Sequence, residues 1–243
     1  GSPVSARVPV EVVASTRALI QTSLAQIIAD AGSTVNVDLT QYTTNPFPGT
    51  PITIQRATVE VGEGTVDPQG TVLAVSPRAG FHGNMVIVYR VVDKTLDSSR
   101  VVEGRVSVTV RDRPEAPQNV HASATGAGRA SVSFTPGADN GARITEYVVT
   151  SSEGRTAVCQ QTVCEVSGLT NGARHSFTVV ARNAVGDSDA SAPSSEVLID
   201  ATPDRMSVPT VSSGDGSLTV SWNEPNNEGS AITAYEIALN GRD

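Results

Sequence analysis

Short alternating runs of β-branched and polar residues dominate the chain, and almost none of it has helical period. Between Ser33 and Arg111 the runs are "TVNVDL", "PITI", "TVEV", "TVLAV", "MVIVYRVVD" and "GRVSVTV", separated by Gly, Pro, Asn and Asp. Period-two alternation places one face of each run against a core, and this spacing of turns predicts an antiparallel sandwich. The exception is "LIQTSLAQIIADAG", where Leu19, Leu24, Ile27 and Ile28 also fit a helical stripe. Its latter half is read as an edge strand, because it runs straight into Ser33 and Thr34 of an otherwise all-β unit. From Pro114 to Thr202 seven further strands are expected: "NVHASA", "ASVSF", "ITEYVVTSS", "TAVC", "CEVSGL", "HSFTVVARN" and "SSEVLI". Their inward positions nominate Val132, Phe134, Tyr147, Val149, Leu169, Phe177 and Val179 as core.

Internal repeats set the domain count, since 243 residues fit one large domain or two ordinary ones. "SFTPGADNGARITEYVV" from Ser133 returns 88 positions later as "SWNEPNNEGSAITAYEI", aligning Phe134 with Trp222, Gly141 with Gly229, Ile144 with Ile232 and Tyr147 with Tyr235. Pro136 and Pro225 fall one position out of step. A shorter match pairs "RVPVEVV" from Arg7 with "RVSVTVR" from Arg105. The expected fold class is all-β, tandem Ig-like β-sandwich domains. Residues 1–17 read as a tag remnant, from Gly1 and Ser2, with the last strand of a preceding domain. Residues 18–112 and 113–201 each read as a complete sandwich, and 202–243 as the first three strands of another. Prolines at 114 and 117 are expected to stiffen the connection and hold the domains end to end. Residues 206–243, lacking later strands to cover Val220, Trp222 and Tyr235, are expected to be disordered, docked on a neighbour or paired between chains.

Charge and composition narrow the function classes. The formal net charge is -8, with 25 acidic and 17 basic residues and no basic cluster, so no nucleic-acid partner is expected. Lys94 is the only lysine, a bias expected of a GC-rich genome. No apolar run approaches the roughly 20 residues that span a bilayer. The histidines His82, His121 and His175 sit on separate strands or loops without a nucleophile or a metal motif, so no catalytic residue, metal or cofactor is nominated. Glu60, Glu63 and Asp67, and likewise Asp187 and Asp189, read as solvated loop edges before they read as cation sites. Cys159 and Cys164, with four residues between them, are expected to bridge a hairpin, which would place the protein in an oxidising compartment; free thiols and half a zinc shell are the alternatives. The terminal "NGRD" resembles an adhesion tripeptide but reads more simply as an Asn240-Gly241 turn.

The combination of a proline-rich entry, "SF" followed by proline, "ITEYVV" and "GLTNGARHSFTVVARNAVGDS" resembles bacterial fibronectin type III domains across the whole of 113–201. That family carries a corner tyrosine six residues after the leucine of its E–F turn, and counting from Leu169 this position holds His175. "DSDAS" stands where class I cytokine receptors carry Trp-Ser-x-Trp-Ser, but Asp187 and Ala190 replace the tryptophans, so arginine stacking on rings is absent. The first unit resembles bacterial Ig-like, cadherin-like repeats. The acidic calcium loop of such repeats corresponds to Asn45-Pro46-Phe47-Pro48-Gly49, which has no carboxylate. The whole resembles actinobacterial, including bifidobacterial, surface proteins built from these repeats. That resemblance implies extracellular display by a parent anchored outside this segment. It also implies a non-catalytic module that binds a protein partner, including host cytokines or matrix, with a spacer or stalk as the alternative. The expected contact region is the interdomain elbow and its loops, with Arg111, Arg113, Asp187 and Asp189. Chain pairing through the truncated strands is a further expectation, and the scarcity of aromatic residues argues against sugar binding.

Overall fold

A computed structural model describes residues 16–238, and the chain divides at Asp112/Arg113 into two compact units. The strand expected at Arg7 and the Asn240-Gly241 turn lie outside the described residues. Both units are β-sandwiches, with 3-10 turns at Leu39–Gln41 and Ser98–Arg100 the only helical segments among the described residues.

In unit 1 the strands are β1 (Gln21–Thr22), β2 (Ala25–Asp30), β3 (Val35–Asp38), β4 (Thr43–Thr44), β5 (Thr53–Val61), β6 (Gly64–Gln69), β7 (Val72–Pro77), β8 (Gly83–Val92) and β9 (Val102–Arg111). One sheet runs β2-β9-β8-β5, a second runs β3-β7-β6, and β1 pairs with β4. The ambiguous apolar run therefore becomes strand, as the edge reading expects. It pairs with β9 in parallel, Ala25 beside Val106 and Asp30 beside Arg111. Inward positions of β8 and β9 supply Met85, Ile87, Tyr89, Val91, Val106, Val108 and Val110, with Leu73 and Val75 from the facing sheet. Tyr89 lies across β9 at Gly104, where a Cβ would collide with the ring.

A buried ion pair closes one end of this sandwich. Arg100 Nε donates to Asp93 Oδ2 at 2.7 Å, and its other nitrogens donate to the Arg17 and Ala18 carbonyls at 2.9 and 2.7 Å. Thr95 also donates to Asp93 Oδ1, through its amide at 3.0 Å and its hydroxyl at 2.5 Å. Burial pushes the Asp93 carboxyl up, but the bonds from Arg100 and Thr95 together outweigh it and hold it below the ordinary carboxylate range.

Unit 2 contains β10 (Gln118–Gly126), β11 (Arg129–Thr135), β12 (Glu146–Ser151), β13 (Thr156–Cys159), β14 (Val163–Ser167), β15 (Arg174–His175), β16 (Phe177–Arg182), β17 (Val197–Leu198), β18 (Thr210–Gly214) and β19 (Ser217–Ser221). Sheets β10-β11-β14 and β13-β12-β16 face each other across the core, with β15-β17 as a small pair beside them. Each of the seven nominated core residues is buried, joined by Ala130, Cys164, Val166, Ala181 and Ile199. Phe134 and Tyr147 meet edge to face at 4.8 Å, and their repeat counterparts Trp222 and Tyr235 meet at 5.3 Å. The repeat also copies backbone: Asn140 and Glu228 have φ of 51° and 52°, each followed by a positive-φ glycine.

Three expectations need correcting: "PITI" and "TVEV" fall in the single strand β5, and two more lie in unit 2. The run "HSFTVVARN" breaks at Ser176, giving β15 to one partner and β16 to another, and "SSEVLI" is strand only at Val197–Leu198. Cys159 and Cys164 are joined, with Cα atoms 5.8 Å apart, but they do not bridge a hairpin. β13 pairs only with β12 and β14 only with β11, so the disulfide ties the edges of two different sheets.

Past β17 the repeat's β18–β19 hairpin is largely exposed, and the segment after it is tied to the segment before it. Ala201 N donates to Glu228 O at 3.1 Å, and Asp204 N to Asn226 O at 2.9 Å. Asp200 accepts from the Ser230 amide at 3.0 Å and from its hydroxyl.

Candidate interaction site

The four residues nominated at the elbow are each committed to an ion pair within their own unit. Arg111 ends β9 beside Asp30 and donates to Asp30 Oδ1 through Nε and NH2 at 2.9 and 2.7 Å, pinning the parallel edge strand. Arg113 opens unit 2, donates to Asp189 Oδ1 at 3.0 Å, and presents its carbonyl to Asn140 Nδ2 at 2.8 Å. Asp187 accepts from Arg182 Nε at 2.5 Å and NH2 at 3.1 Å, while Arg182 NH1 donates to Glu146 Oε1 at 2.6 Å. The Arg182 guanidinium holds the Asp187 carboxyl below its usual range. An arginine thus still engages the segment where the receptor box carries tryptophans, through an ion pair in place of ring stacking.

Between Asp187 and Val197 lies a device that alternation could not find. Ser188, Ser191 and Ser194 are buried along the free edge of β16. Their hydroxyl oxygens accept from Ala181 N, Val179 N and Phe177 N at 2.9, 2.9 and 3.1 Å. Their amides donate in return to the carbonyls of the same three residues at 2.8 to 2.9 Å. Each hydroxyl hydrogen goes to the carbonyl of the following residue, so every one of the three hydroxyls both accepts and donates. Three residues of this segment run against every two of β16, a bulge repeated at each step. The edge is thereby closed to strand addition. The signal in the sequence is serine at every third position of "SDASAPS", which the period-two strand template passes over.

His175 occupies the corner, nearly fully buried. Nε2 lies 3.0 Å from the Thr170 carbonyl, and because a carbonyl only accepts, this nitrogen carries the hydrogen. The imidazole therefore makes a backbone bond back across the E–F turn. Nδ1 has no hydrogen-bond partner, and the nearest carboxylate, Glu153 Oε2, is 3.9 Å away. Glu153 itself accepts from Thr170 Oγ1 at 2.9 Å.

On the opposite side of the sandwich from β16, the disulfide braces β13 and β14, with Val158 and Val163 62% and 56% exposed beside it. No other pair of large apolar side chains flanks a covalent brace among the described residues. In unit 1, the loop at Asn45–Gly49 that the resemblance aligns with a calcium site holds Phe47, and Arg17, Lys94 and Arg100 surround its ring at 5.0, 4.9 and 5.7 Å. Three cations around a loop that itself carries no carboxylate are a setting unsuited to a divalent ion. Among the described residues no group of three His, Cys, Asp or Glu side chains is placed to hold a metal. Glu60 and Glu63 are taken by Arg105 and Arg78.

Residues 115–197 match the family model of the fibronectin type III domain. A stretch of 148 residues is 28% identical to neural cell adhesion molecule L1.1 of Danio rerio, covering 55% of this chain and 12% of that protein. The chain thus spans only a small part of that relative's length. Among solved structures, a crystal structure of titin domains aligns at 19% identity over 75% of this chain and 66% of that one, with a TM-score of 0.45. A myokine structure aligns at 22% identity over 35% of this chain and 97% of that one, with a TM-score of 0.29. The matched family model and the adhesion-molecule relative suggest a non-catalytic protein-interaction or spacer module. Among the described residues no helix is long and apolar enough to cross a membrane.

Proposed function

We propose that this chain is an extracellular protein-binding segment of a modular, surface-displayed bacterial protein, with domain limits at 18–112, 113–201 and 202–243. The observation that carries the reading is the braced edge of unit 2, where Val158 and Val163 are presented on strands held by the Cys159–Cys164 bond. Apolar side chains on a rigid support bind with little loss of conformational freedom. The disulfide suits an oxidising, extracytoplasmic setting. The near absence of lysine supports a GC-rich, actinobacterial source, and host cytokines or matrix proteins are the partner class to test. A second copy of the chain is a further partner, through the β18–β19 hairpin, where Val211 and Leu218 stand exposed.

A spacer is the second reading, favoured by the internal pairing of Arg111, Arg113, Asp187 and Asp189. Binding titrations against a panel of soluble host proteins, with an unrelated type III domain as control, separate the two. Saturable binding lost in Val158→Asp and Val163→Asp supports recognition; no binding across the panel leaves the spacer. Sedimentation of the whole chain tests self-pairing, which a monomeric mass at high concentration excludes.

A further inference from the structure

The outer face of the β2-β9-β8-β5 sheet carries a charge pattern that its own residues leave incomplete. Ala57, Val59, Ile87, Tyr89 and Val106 turn into the core, so Arg56, Thr58 and Glu60 of β5, Val88 and Arg90 of β8, and Glu103 and Arg105 of β9 turn outward. Register arranges them in rows. Arg105, opposite Val88, reaches past it to Glu60, which accepts from both of its terminal nitrogens, and its NH2 lies 3.9 Å from Glu103 Oε1. Arg90, opposite Glu103, approaches Glu103 Oε2 with Nε at 3.5 Å. Acid and base alternate through Glu60, Arg105, Glu103 and Arg90.

The alternation then fails. On its other side Arg90 stands directly opposite Arg56, which forms no ion pair among the described residues. Like charges directly opposite on a sheet face are destabilising. A hollow of about 300 Å³ lies over this pair, lined by Arg56, Arg90, Thr58, Val88, Glu60 and Glu103. One anion here would supply the missing acid and meet two guanidinium forks whose geometry matches a carboxylate.

We propose that Arg56 and Arg90 form a binding site for a single carboxylate on a partner protein's aspartate or glutamate side chain, with the Thr58 hydroxyl as a further donor. The rim selects among anions. Glu60 and Glu103 repel a second negative charge, so a lone acid flanked by neutral or basic residues fits, and a polyanion does not. This proposal rests on the protein-binding reading and names one of its surfaces.

The test uses the whole chain, isotope-labelled, and a short peptide with one glutamate flanked by serine and lysine. Saturable shifts of the Arg56 and Arg90 Nε–H resonances are expected, absent with the glutamine version of the peptide and weakening as salt rises. Arg56→Gln is expected to weaken binding roughly tenfold while holding or raising the thermal midpoint, because it relieves the opposed charges. Unchanged binding by that variant, shifts confined to other residues, or a lowered midpoint overturns the site, as does tighter binding of a sulfated polysaccharide than of the peptide. Peptide binding without any protein partner in the titration panel sinks the recognition reading but leaves the site. A partner whose affinity ignores Arg56→Gln does the reverse.

Discussion

The two sandwiches solve the same problem, closing the open sides of paired sheets, with different chemistry. Unit 1 relies on charge: the buried Asp93–Arg100 pair grips the entering chain, and Arg111–Asp30 pins a parallel edge strand. Unit 2 relies on a covalent bond along one side and buried serine hydroxyls along the other. A buried ion pair holds only while both partners remain charged. A serine ladder has no such dependence, and a disulfide depends on redox conditions. The units should therefore fail under different stresses.

The largest effect should come from breaking the charge in unit 1. Asp93→Ala leaves a guanidinium buried without its acid, and urea unfolding should show unit 1 destabilised by about 3–5 kcal/mol with the unit 2 transition in place. Because the folded Asp93 pKa is lowered, its contribution is fully present above the unfolded value of roughly 3.9 and is lost as pH falls through the folded value. Acid titration followed by near-UV signals should lose unit 1 first, and a simultaneous collapse of both units would refute the contrast.

Removing the covalent brace should come next. Replacing Cys159 and Cys164 by serine, or reducing the bond, should cost unit 2 about 2 kcal/mol, the low end for a bridge closing so short a loop, and leave unit 1 unmoved. Ser191→Ala follows. It strands the Val179 amide in a buried edge, for about 1–2 kcal/mol in unit 2 and faster hydrogen exchange at that amide. Equal exchange in the variant would show the serine bonds to be incidental. The smallest effect is expected at the corner, where His175→Phe removes the bond to Thr170 O at a cost of about 1 kcal/mol.

Legibility in the sequence divided along the same line. Hydrophobic alternation located most strands of both units but split β5 into "PITI" and "TVEV" and passed over β6, while each nominated core residue of unit 2 is buried. The break at Ser176 and the short β17 were missed, because alternation reports which face a side chain takes and not which strand its backbone joins. The disulfide pair was legible from spacing. Its placement across two sheets was not, since the short link between the two cysteines can return to its own sheet or cross to the other. The ion pairs at Arg111, Arg113 and Asp187 join residues 81, 76 and 5 positions apart, and only for the last does local spacing limit the choice of partner.

By itself the sequence determined the fold class, the repeat and the core of unit 2, because each follows from local period and composition. Tertiary structure alone decided which edges are closed and by what. It paired Asp93 with Arg100, matched three serines to every other residue of β16, and set Arg56 opposite Arg90. Those outcomes depend on strand register, and register is settled by how two faces pack across the core, to which no single run of residues holds the key.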